Sequence, residues 1–224
     1  MSLEISVVIP ALNEADFVAE AVASARAPGT QVIVVDGGSS DATRERARAA
    51  GARVVVSEAG RARQLARGVE ESRGEVLVFL HADTRLPPRY TEHIARALSD
   101  PAAVGGAFAF RFAESGAALR WVEWGARLRG AWLRFPYGDQ ALFVWRSVLT
   151  AAGGVPQVPL LEDLDLVRAL RRRGRFVLCA APAVTSARRY LERGILRSML
   201  WNWIALFAWS AGLPRARIAA WYRR

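Results

Sequence analysis

The chain has 224 residues, of which 52% are hydrophobic and 23% are charged, so it can bury the core of one globular domain and is not intrinsically disordered. All 31 basic residues are arginine, and the net charge of +10 favours anionic partners such as nucleotides, phosphorylated sugars or acidic lipid headgroups. The arginines are dispersed, without RNP-like aromatic residues or a helix-turn-helix pattern, which argues against a nucleic-acid-binding protein. Cys179 is the only cysteine, which excludes an intrachain disulfide and, with no signal-peptide pattern at the N-terminus, predicts a cytoplasmic protein.

The first hundred residues alternate between apolar runs and helical patterns. The runs predict strands at Glu4–Pro10, Gln31–Asp36, Ala52–Ser57 and from Val76 onward. Helices are predicted from Asn13, as N-cap, to about Arg26, over Ala42–Ala50 with Asp41 as cap, over Gly60–Ser72, and from Pro87 to about Ser99. This βαβαβαβ order predicts a Rossmann-like open α/β sheet. No GxGxxG motif follows the first strand, which argues against NAD or FAD binding.

The second half predicts a mixture of strands and helices. Strands are expected at Val104–Phe112, Ala141–Trp145 and Arg175–Cys179. Helices are expected at Gly116–Gly130, Leu160–Arg173 and Arg188–Gly212, the last followed by a basic tail. The loop that leads into the strand at Ala141 begins at Pro136.

The apolar run that begins at Val76 ends in His81 and Asp83. Such a run is typical of a strand buried on both faces, and residues that follow it lie at the sheet edge where α/β proteins bind ligands. Two positions apart on an extended chain, His81 and Asp83 point the same way and could hold Mg²⁺ or Mn²⁺, with diphosphate oxygens completing the coordination. The alternative is that His81 only bonds a loop carbonyl.

The aspartates concentrate at predicted strand ends and loops, which indicates an acidic site at one edge of the sheet. They are Asp36, Asp41, Asp83, Asp139 and Asp163. Asp36 could accept hydrogen bonds from a ribose or base, or it could simply form a turn.

Two further sites have both a functional and a structural interpretation. Arg61 and Arg63 open a helix, where they could meet phosphate or merely form a solvated face. Glu162 and Asp163 open another helix, where the dipole favours carboxylates. A carboxylate there could also take the proton from an attacking hydroxyl.

Taken together, these stretches resemble the family 2 glycosyltransferases. The motifs occur in the family's order over about residues 4–180: VVIPALNE, VVDGGSSDAT, FLHADT and LLEDLDL. GRARQ and GDQ make the chain most similar to a subgroup of short bacterial members. The resemblance implies a GT-A fold, in which a mixed central sheet is flanked by helices.

The resemblance also implies a role for each matching residue. Donor binding falls to Pro10, Ala11, Asn13, Glu14, Asp36, Arg61, Gln64 and Ala82. Asp83, with His81, would hold a divalent metal, Mg²⁺ or Mn²⁺. Asp163 would be the catalytic base with Glu162 beside it, and Gly138, Asp139 and Gln140 would lie on the donor-sugar or acceptor side. The implied reaction is inverting transfer from a nucleotide-diphospho-sugar.

The chain departs from the family pattern in two places. His81 replaces the first aspartate of the metal motif, which puts metal binding in question. The QXXRW motif of processive members is absent, which argues against polymer synthesis.

The C-terminal part is rich in tryptophan and arginine. We divide the chain into a glycosyltransferase domain, residues 1–185, and a C-terminal element, residues 186–224. The apolar segment Ile195–Leu213 fits a buried or dimer-forming helix, a helix on the inner face of the cell membrane, or a membrane span. A membrane-surface helix would suit a lipid-linked acceptor.

Two other functions compete with sugar transfer. A sugar-phosphate nucleotidyltransferase would need a Gly-rich loop and a lysine after the first strand, and the sequence has neither. A non-catalytic module that binds a nucleotide-sugar or a lipid headgroup would bind without turnover.

Overall fold

A mixed eight-stranded sheet lies at the centre of the protein. The computed structural model describes residues 3–132 and 138–222. The strands are β1 (Ile5–Ala11), β2 (Thr30–Asp36), β3 (Arg53–Val56), β4 (Val76–Phe79), β5 (Thr84–Arg85), β6 (Ala103–Phe112), β7 (Leu142–Trp145) and β8 (Arg175–Thr185). Their order across the sheet is β3-β2-β1-β4-β7-β6-β8-β5. The predicted mixed α/β architecture is confirmed.

The sheet has a parallel part and a mixed part. Strands β1 to β4 run parallel to one another, whereas β7 is antiparallel to both β4 and β6. Strand β8 then pairs in parallel with β6 and antiparallel with the short β5. The carboxyl ends of β1, β2 and β4 therefore meet at one edge, where open α/β sheets bind ligands.

Helices cover both faces of the sheet. They are α1 (Val18–Ala25), α2 (Thr43–Ala49), α3 (Arg61–Glu71), α4 (Tyr90–Leu98), α5 (Ala117–Trp132), α6 (Arg146–Ala151), α7 (Glu162–Arg171), α8 (Arg188–Arg193), α9 (Ile195–Ser210) and α10 (Arg215–Tyr222). Alternate residues of β1 enter opposite cores: Val7 and Ile9 pack with α1 and α4, and Val8 packs with α3 and α7.

Gly68 lets α3 lie directly on the sheet. A methyl group there would come within 2.2 Å of Val8 Cγ1, so a larger residue would push the helix outward. This close packing places the first turn of α3, with Arg61, over the strand ends.

Asn13 does not cap a helix, contrary to the prediction. It has a left-handed backbone, with φ of 55°, and α1 begins only at Val18. Its side-chain Oδ1 accepts a hydrogen bond of 2.9 Å from the Ser40 amide instead, which ties the loop after β1 to the loop after β2. Asp41 does accept from an amide of the next helix, that of Thr43, at 3.0 Å.

The C-terminal prediction of one long helix and a basic tail was wrong. The chain breaks at Gly194, with φ of 84°, between α8 and α9, and Arg215–Tyr222 forms a further helix, α10. Strand β8 also continues past Cys179 to Thr185, because it follows β6 around a register shift at Phe108/Ala109. Over the described residues, none of the helices is both long enough and apolar enough to cross a membrane.

Helix α9 packs back onto α7. Ala205, Leu206 and Trp209 surround Leu164, and Trp209 Nε1 donates to Asp165 Oδ1 at 2.8 Å. Arg215 Nη2 also donates hydrogen bonds to both oxygens of this carboxylate, with an Nη2–Oδ1 distance of 2.9 Å. Asp165 is therefore the polar anchor of the C-terminal helices.

Candidate active site

One cleft of about 620 Å³ opens at the carboxyl edge of the sheet, beneath α8 and α9. It brings together most of the charged residues that the sequence singles out: Arg61, His81, Asp83, Asp139, Glu162 and Asp163. The donor-side residues at the ends of β1 and β2 are not among its lining residues. The predicted site therefore has two regions, a cleft and an adjoining surface formed by the first two loops.

Arg61 is the hub of the cleft. Its Nε donates to Glu162 Oε1, its Nη1 lies 3.1 Å from His81 Nε2, and its Nη2 lies 3.7 Å from Asp163 Oδ2. The first residue of α3 thus joins the end of β4 to the start of α7. Arg63, two positions on, is exposed and pairs with Glu58, so of the two candidates only Arg61 reaches the cleft.

Asp163 is held by backbone amides. Its Oδ2 accepts from the Gly138 amide at 2.6 Å and its Oδ1 accepts from the Leu164 amide at 2.9 Å. Leu161, with φ of 63°, turns the chain sharply into α7 so that the first-turn acids reach the cleft. Two buried carboxylates therefore lie beside one partly exposed guanidinium.

Burial and mutual repulsion set the protonation of this cluster. Burial raises the pKa of Glu162, Arg61 opposes that rise and Asp163 adds to it. Burial opposes the charge on Arg61 too, yet Glu162 and Asp163 together outweigh it and raise the Arg61 pKa. Both pKa values are therefore raised, because one guanidinium faces two acids. Arg61 stays charged, and the acids compete for it.

His81 is neutral in this environment. Burial lowers its pKa well below the usual value, and the positive charges of Arg61 and Arg189 lower it further. Its Nε2 faces the Arg61 guanidinium, which can only donate, so we assign Nε2 as the acceptor and Nδ1 as the protonated nitrogen. In this arrangement the free lone pair of His81 is directed at Arg61.

Asp83 lies in a turn, since the Thr84 amide bonds back to the His81 carbonyl at 3.1 Å. His81 and Asp83 are therefore not on one extended segment, as the sequence analysis assumed. The Asp83 side chain is only 7% exposed, with Oδ2 3.9 Å from Arg189 Nη2 and Oδ1 3.4 Å from its neighbour's hydroxyl. Both residues line the cleft, and their predicted role as metal ligands stays a prediction.

Asp36 is fully buried at the end of β2. Its Oδ2 accepts from the amides of Gly38 and Ser39, both at 3.0 Å, and Arg44 Nε lies 3.9 Å away. Its Oδ1 is buried and makes no hydrogen bond to the described residues. This carboxylate is oriented by its own loop and keeps one oxygen for a further donor.

Gln64 lies behind the strand ends. It is buried, and its Nε2 donates at 2.8 Å to both the Ala11 and Val35 carbonyls. The side chain that was predicted to line the nucleotide pocket therefore also clamps β1 to β2. Pro10 pairs with Val35 in the sheet, and Ala82 is buried in the core below the strand end.

Glu14 faces α8. Its carboxylate pairs with Arg188 at 2.8 Å, and Arg188 also lies over the Phe17 ring, 4.5 Å from its centroid. Burial raises the Glu14 pKa, while Arg188 opposes and Asp83 reinforces that rise. Glu14 and Asp83 therefore approach one another at the boundary between the two regions of the site.

The GDQ segment forms a single 3-10 turn, Gly138–Gln140. Gly138 contacts Asp163, Asp139 lines the cleft, and Gln140 is buried with its Nε2 bonded to the Phe108 carbonyl at 2.9 Å. Of the predicted loop, Pro136 and Tyr137 lie outside the described residues.

The wall that α8 and α9 contribute was missed at the sequence level. Arg189, Arg193 and Arg197 line the cleft at intervals of four residues, together with Tyr190, Ser198, Trp201 and Asn202. The four-residue spacing did not stand out among 31 arginines, and it does not by itself predict a common face because the chain turns at Gly194. The C-terminal element is thus part of the site and not only an appendage to it.

Comparison with known proteins identifies the family and the fold. A model of glycosyl transferase family 2 matches residues 6–151. The chain is 40% identical over 92 residues to glucosyl-3-phosphoglycerate synthase of Mycolicibacterium paratuberculosis, an alignment that covers 35% of this chain and 28% of that protein. The match thus spans less than a third of that relative's length.

Two crystal structures of glucosyl-3-phosphoglycerate synthase from Mycobacterium tuberculosis are similar in fold. The complex with phosphoglyceric acid has a TM-score of 0.69 at 23% identity, over 95% of this chain and 81% of that chain. The complex with Mn²⁺, UDP-glucose and phosphoglyceric acid has a TM-score of 0.68 at 23% identity, with the same coverage. The predicted GT-A fold is confirmed, and since the family model covers more than half of it, the chain belongs to glycosyl transferase family 2.

Proposed function

We propose that this protein transfers a sugar from a nucleotide-diphospho-sugar to an acceptor hydroxyl with inversion at the anomeric carbon. The observation that carries the proposal is the cleft itself. Asp83, a carboxylate that suits a metal-bound diphosphate, and Asp163, a carboxylate that suits a base, both line it, and Asp163 lies 3.7 Å from Arg61.

The donor nucleoside would lie over the loops that follow β1 and β2. Asp36 has a buried oxygen with no hydrogen-bond partner among the described residues, and the Asn13–Ser40 bond keeps the two loops together. A ribose hydroxyl or a base N–H is the kind of donor that such an oxygen accepts. The similar mycobacterial synthase binds UDP-glucose, which supports a UDP-sugar as the first donor to test.

The chemistry of the cleft fits a divalent metal that is only partly held by protein. Among the described residues, no three side chains of the His, Cys, Asp and Glu types come together as a metal cluster. Asp83 supplies one hard oxygen ligand, and Mg²⁺ or Mn²⁺ usually completes its shell with phosphate and water. When bound, the ion would neutralise charge on the diphosphate. His81 could join only if Arg61 released its Nε2. The similar synthase was crystallised with Mn²⁺.

The chain's own residues would carry the proton and hold the charge. As the acceptor oxygen forms its bond to the anomeric carbon, the bond to the diphosphate breaks and its electron pair leaves with the diphosphate. Asp163 takes the acceptor proton. The amides of Gly138 and Leu164 hold this carboxylate in place through hydrogen bonds to both of its oxygens. Arg61 faces both Glu162 and Asp163 before the transfer, and it stays paired with Glu162 once Asp163 has taken the proton.

The acceptor side of the cleft carries positive charge. Arg189, Arg193 and Arg197 face the acidic floor from α8 and α9 and favour an acceptor with a phosphate or carboxylate group. Phosphoglyceric acid, which the similar synthase binds, is such a molecule. A lipid-linked phosphate is the other source of the same charge, and a homodimer is a further alternative for the C-terminal helices.

The test combines binding and turnover. Thermal unfolding is recorded with UDP-, GDP-, CDP- and TDP-sugars, with and without Mn²⁺, and the stabilising donor is then incubated with phosphoglyceric acid. We expect one base to stabilise the protein and Mn²⁺ to increase the shift. Release of the nucleoside diphosphate with an inverted product supports transfer. A donor that binds but is never turned over, with this or any phosphorylated acceptor tried, would favour a non-catalytic binding module.

A further inference from the structure

Helix α9 carries a row of large apolar side chains that point away from the protein. Leu196, Leu200, Trp203 and Phe207 are exposed at 83%, 60%, 41% and 66%. At 100° per residue they fall within an arc of roughly 60° on one side of the helix. We call these four residues the outer stripe. Large exposed apolar rows of this kind mark interaction surfaces.

The opposite side of the same helix already has its partners. Ala205 and Trp209 are buried against α7, and Ser198, Trp201 and Asn202 line the cleft. The packing that holds α9 in place therefore does not use the outer stripe. Trp203 and Phe207 stack on each other, with ring centroids 5.8 Å apart, so the stripe is a continuous apolar ridge.

The C-terminal segment that carries the outer stripe has only positively charged side chains after Gly194. From residue 194 to residue 224 the sequence has five arginines and neither aspartate nor glutamate, and the whole chain carries a net charge of +10. Arg197, which follows Leu196 on α9, is exposed, and at the end of α8 the exposed Arg193 is accompanied by one exposed acid, Glu192. A second copy would bring the same positive charge, which disfavours self-association, whereas an anionic surface complements it.

We propose that the outer stripe is a membrane-docking surface, and that α9 lies in the headgroup region of an anionic lipid bilayer. An interfacial helix places leucine and aromatic side chains at the acyl boundary and keeps arginines at the phosphates. Tryptophan is favoured at this depth because its ring is apolar and its N–H is polar. Docking by this face holds the mouth of the cleft, which the same helix lines, close to the lipid headgroups.

This inference rests on exposure and charge and not on the proposed reaction, so its test reads binding alone. The full chain is co-sedimented with vesicles of phosphatidylcholine, or of an equal mixture of phosphatidylcholine and phosphatidylglycerol. We expect it to sediment with the anionic vesicles and to be released by salt, and to stay in solution with the neutral ones. Leu200→Gln/Phe207→Gln should lower the partition coefficient at least about tenfold.

The controls distinguish docking from loss of folding and from dimerisation. Val56→Gln/Leu178→Gln removes two exposed apolar side chains from strands β3 and β8 and should bind vesicles as the unchanged chain does. Leu196→Gln/Trp203→Gln, on the stripe, should reproduce the loss. Circular dichroism and light scattering report folding and molar mass. The proposal is overturned if the full chain ignores anionic vesicles, if the stripe variants bind them equally well, or if the stripe only holds a dimer.

Discussion

The Gly138 amide donates a 2.6 Å hydrogen bond to Asp163 Oδ2, across 25 positions of the chain. A side chain at position 138 would crowd this contact, because its Cβ would lie 3.1 Å from that oxygen and 2.9 Å from His81 Nε2. The position therefore favours glycine, and its amide helps to fix the carboxylate that we propose as the base.

Gly138→Ala should lower kcat about tenfold, because the methyl group presses on the side chains of Asp163 and His81 and disturbs the alignment of the carboxylate. Donor affinity should change little, since the loops after β1 and β2 are untouched. Steady-state kinetics give kcat, and a thermal shift with the donor gives binding. Gly116→Ala, where a methyl group would have nothing within 4 Å, is the matched control. Equal kcat for both variants would contradict the positioning of Asp163 by Gly138.

Asp163→Asn should lower kcat by about 10²- to 10⁴-fold while the protein still binds the donor, because the amide cannot take the acceptor proton. Asp165→Asn, two positions along the same helix, should instead leave kcat within a few-fold and reduce the free energy of unfolding by about 1–3 kcal/mol. It weakens the contacts to Trp209 and Arg215. Urea unfolding and transfer kinetics, measured on both variants, separate the loss of catalysis from the loss of stability. Full activity in Asp163→Asn would show that Asp163 is not the base.

Asp83→Asn should abolish the part of the donor-induced thermal shift that depends on Mn²⁺, and leave the metal-independent part. The amide is a weaker ligand than the carboxylate for a hard cation. Asp100→Asn, which changes a surface carboxylate paired with Arg175, is the control and should keep the full metal effect. If EDTA changes neither binding nor turnover in the unchanged chain, the metal assignment fails.

Cys179 should resist alkylation in the native protein. Burial raises its pKa to about 11, against a small opposing effect of Arg96. At pH 8 the fraction of Cys179 present as thiolate is therefore roughly a hundredth of that of a thiol with an unshifted pKa. Iodoacetamide should react with the native protein about 100-fold more slowly than after unfolding in urea. Because the folded pKa is raised above the unfolded value of 9.0, the associated stability is complete below pH 9 and declines as the pH rises towards 11. Mass spectrometry against time checks the rate.

The parallel half of the molecule could be read from the sequence because its signals are local. An apolar run followed by aspartate or histidine predicts a strand end, and both Asp36 and Asp83 lie where that rule puts them. Family motifs then indicated that Arg61, Asp83 and Asp163 belong to one site, and all three line or adjoin one cleft.

What the sequence could not supply was contact between distant segments. Asn13 looks like a helix cap by type, but its partner is Ser40, which lies 27 positions away. Gln64 looks like a binding residue, and its amide is used by two strand carbonyls. The arginine wall of α8 and α9 depends on the turn at Gly194, whose direction no periodicity reveals.

Helix α7 gives Asp163 to the cleft and Asp165 to the C-terminal helices, only two residues apart. The proposed base and the residue that anchors α9 therefore lie in the same turn of one helix. A tilt of α9 would be transmitted to Asp163 directly, without any flexible segment to absorb it. Removing the apolar C-terminus to make the protein more soluble would thus remove the contacts that hold α7 at Asp165. The orientation of the proposed catalytic carboxylate, Asp163, would suffer as a result.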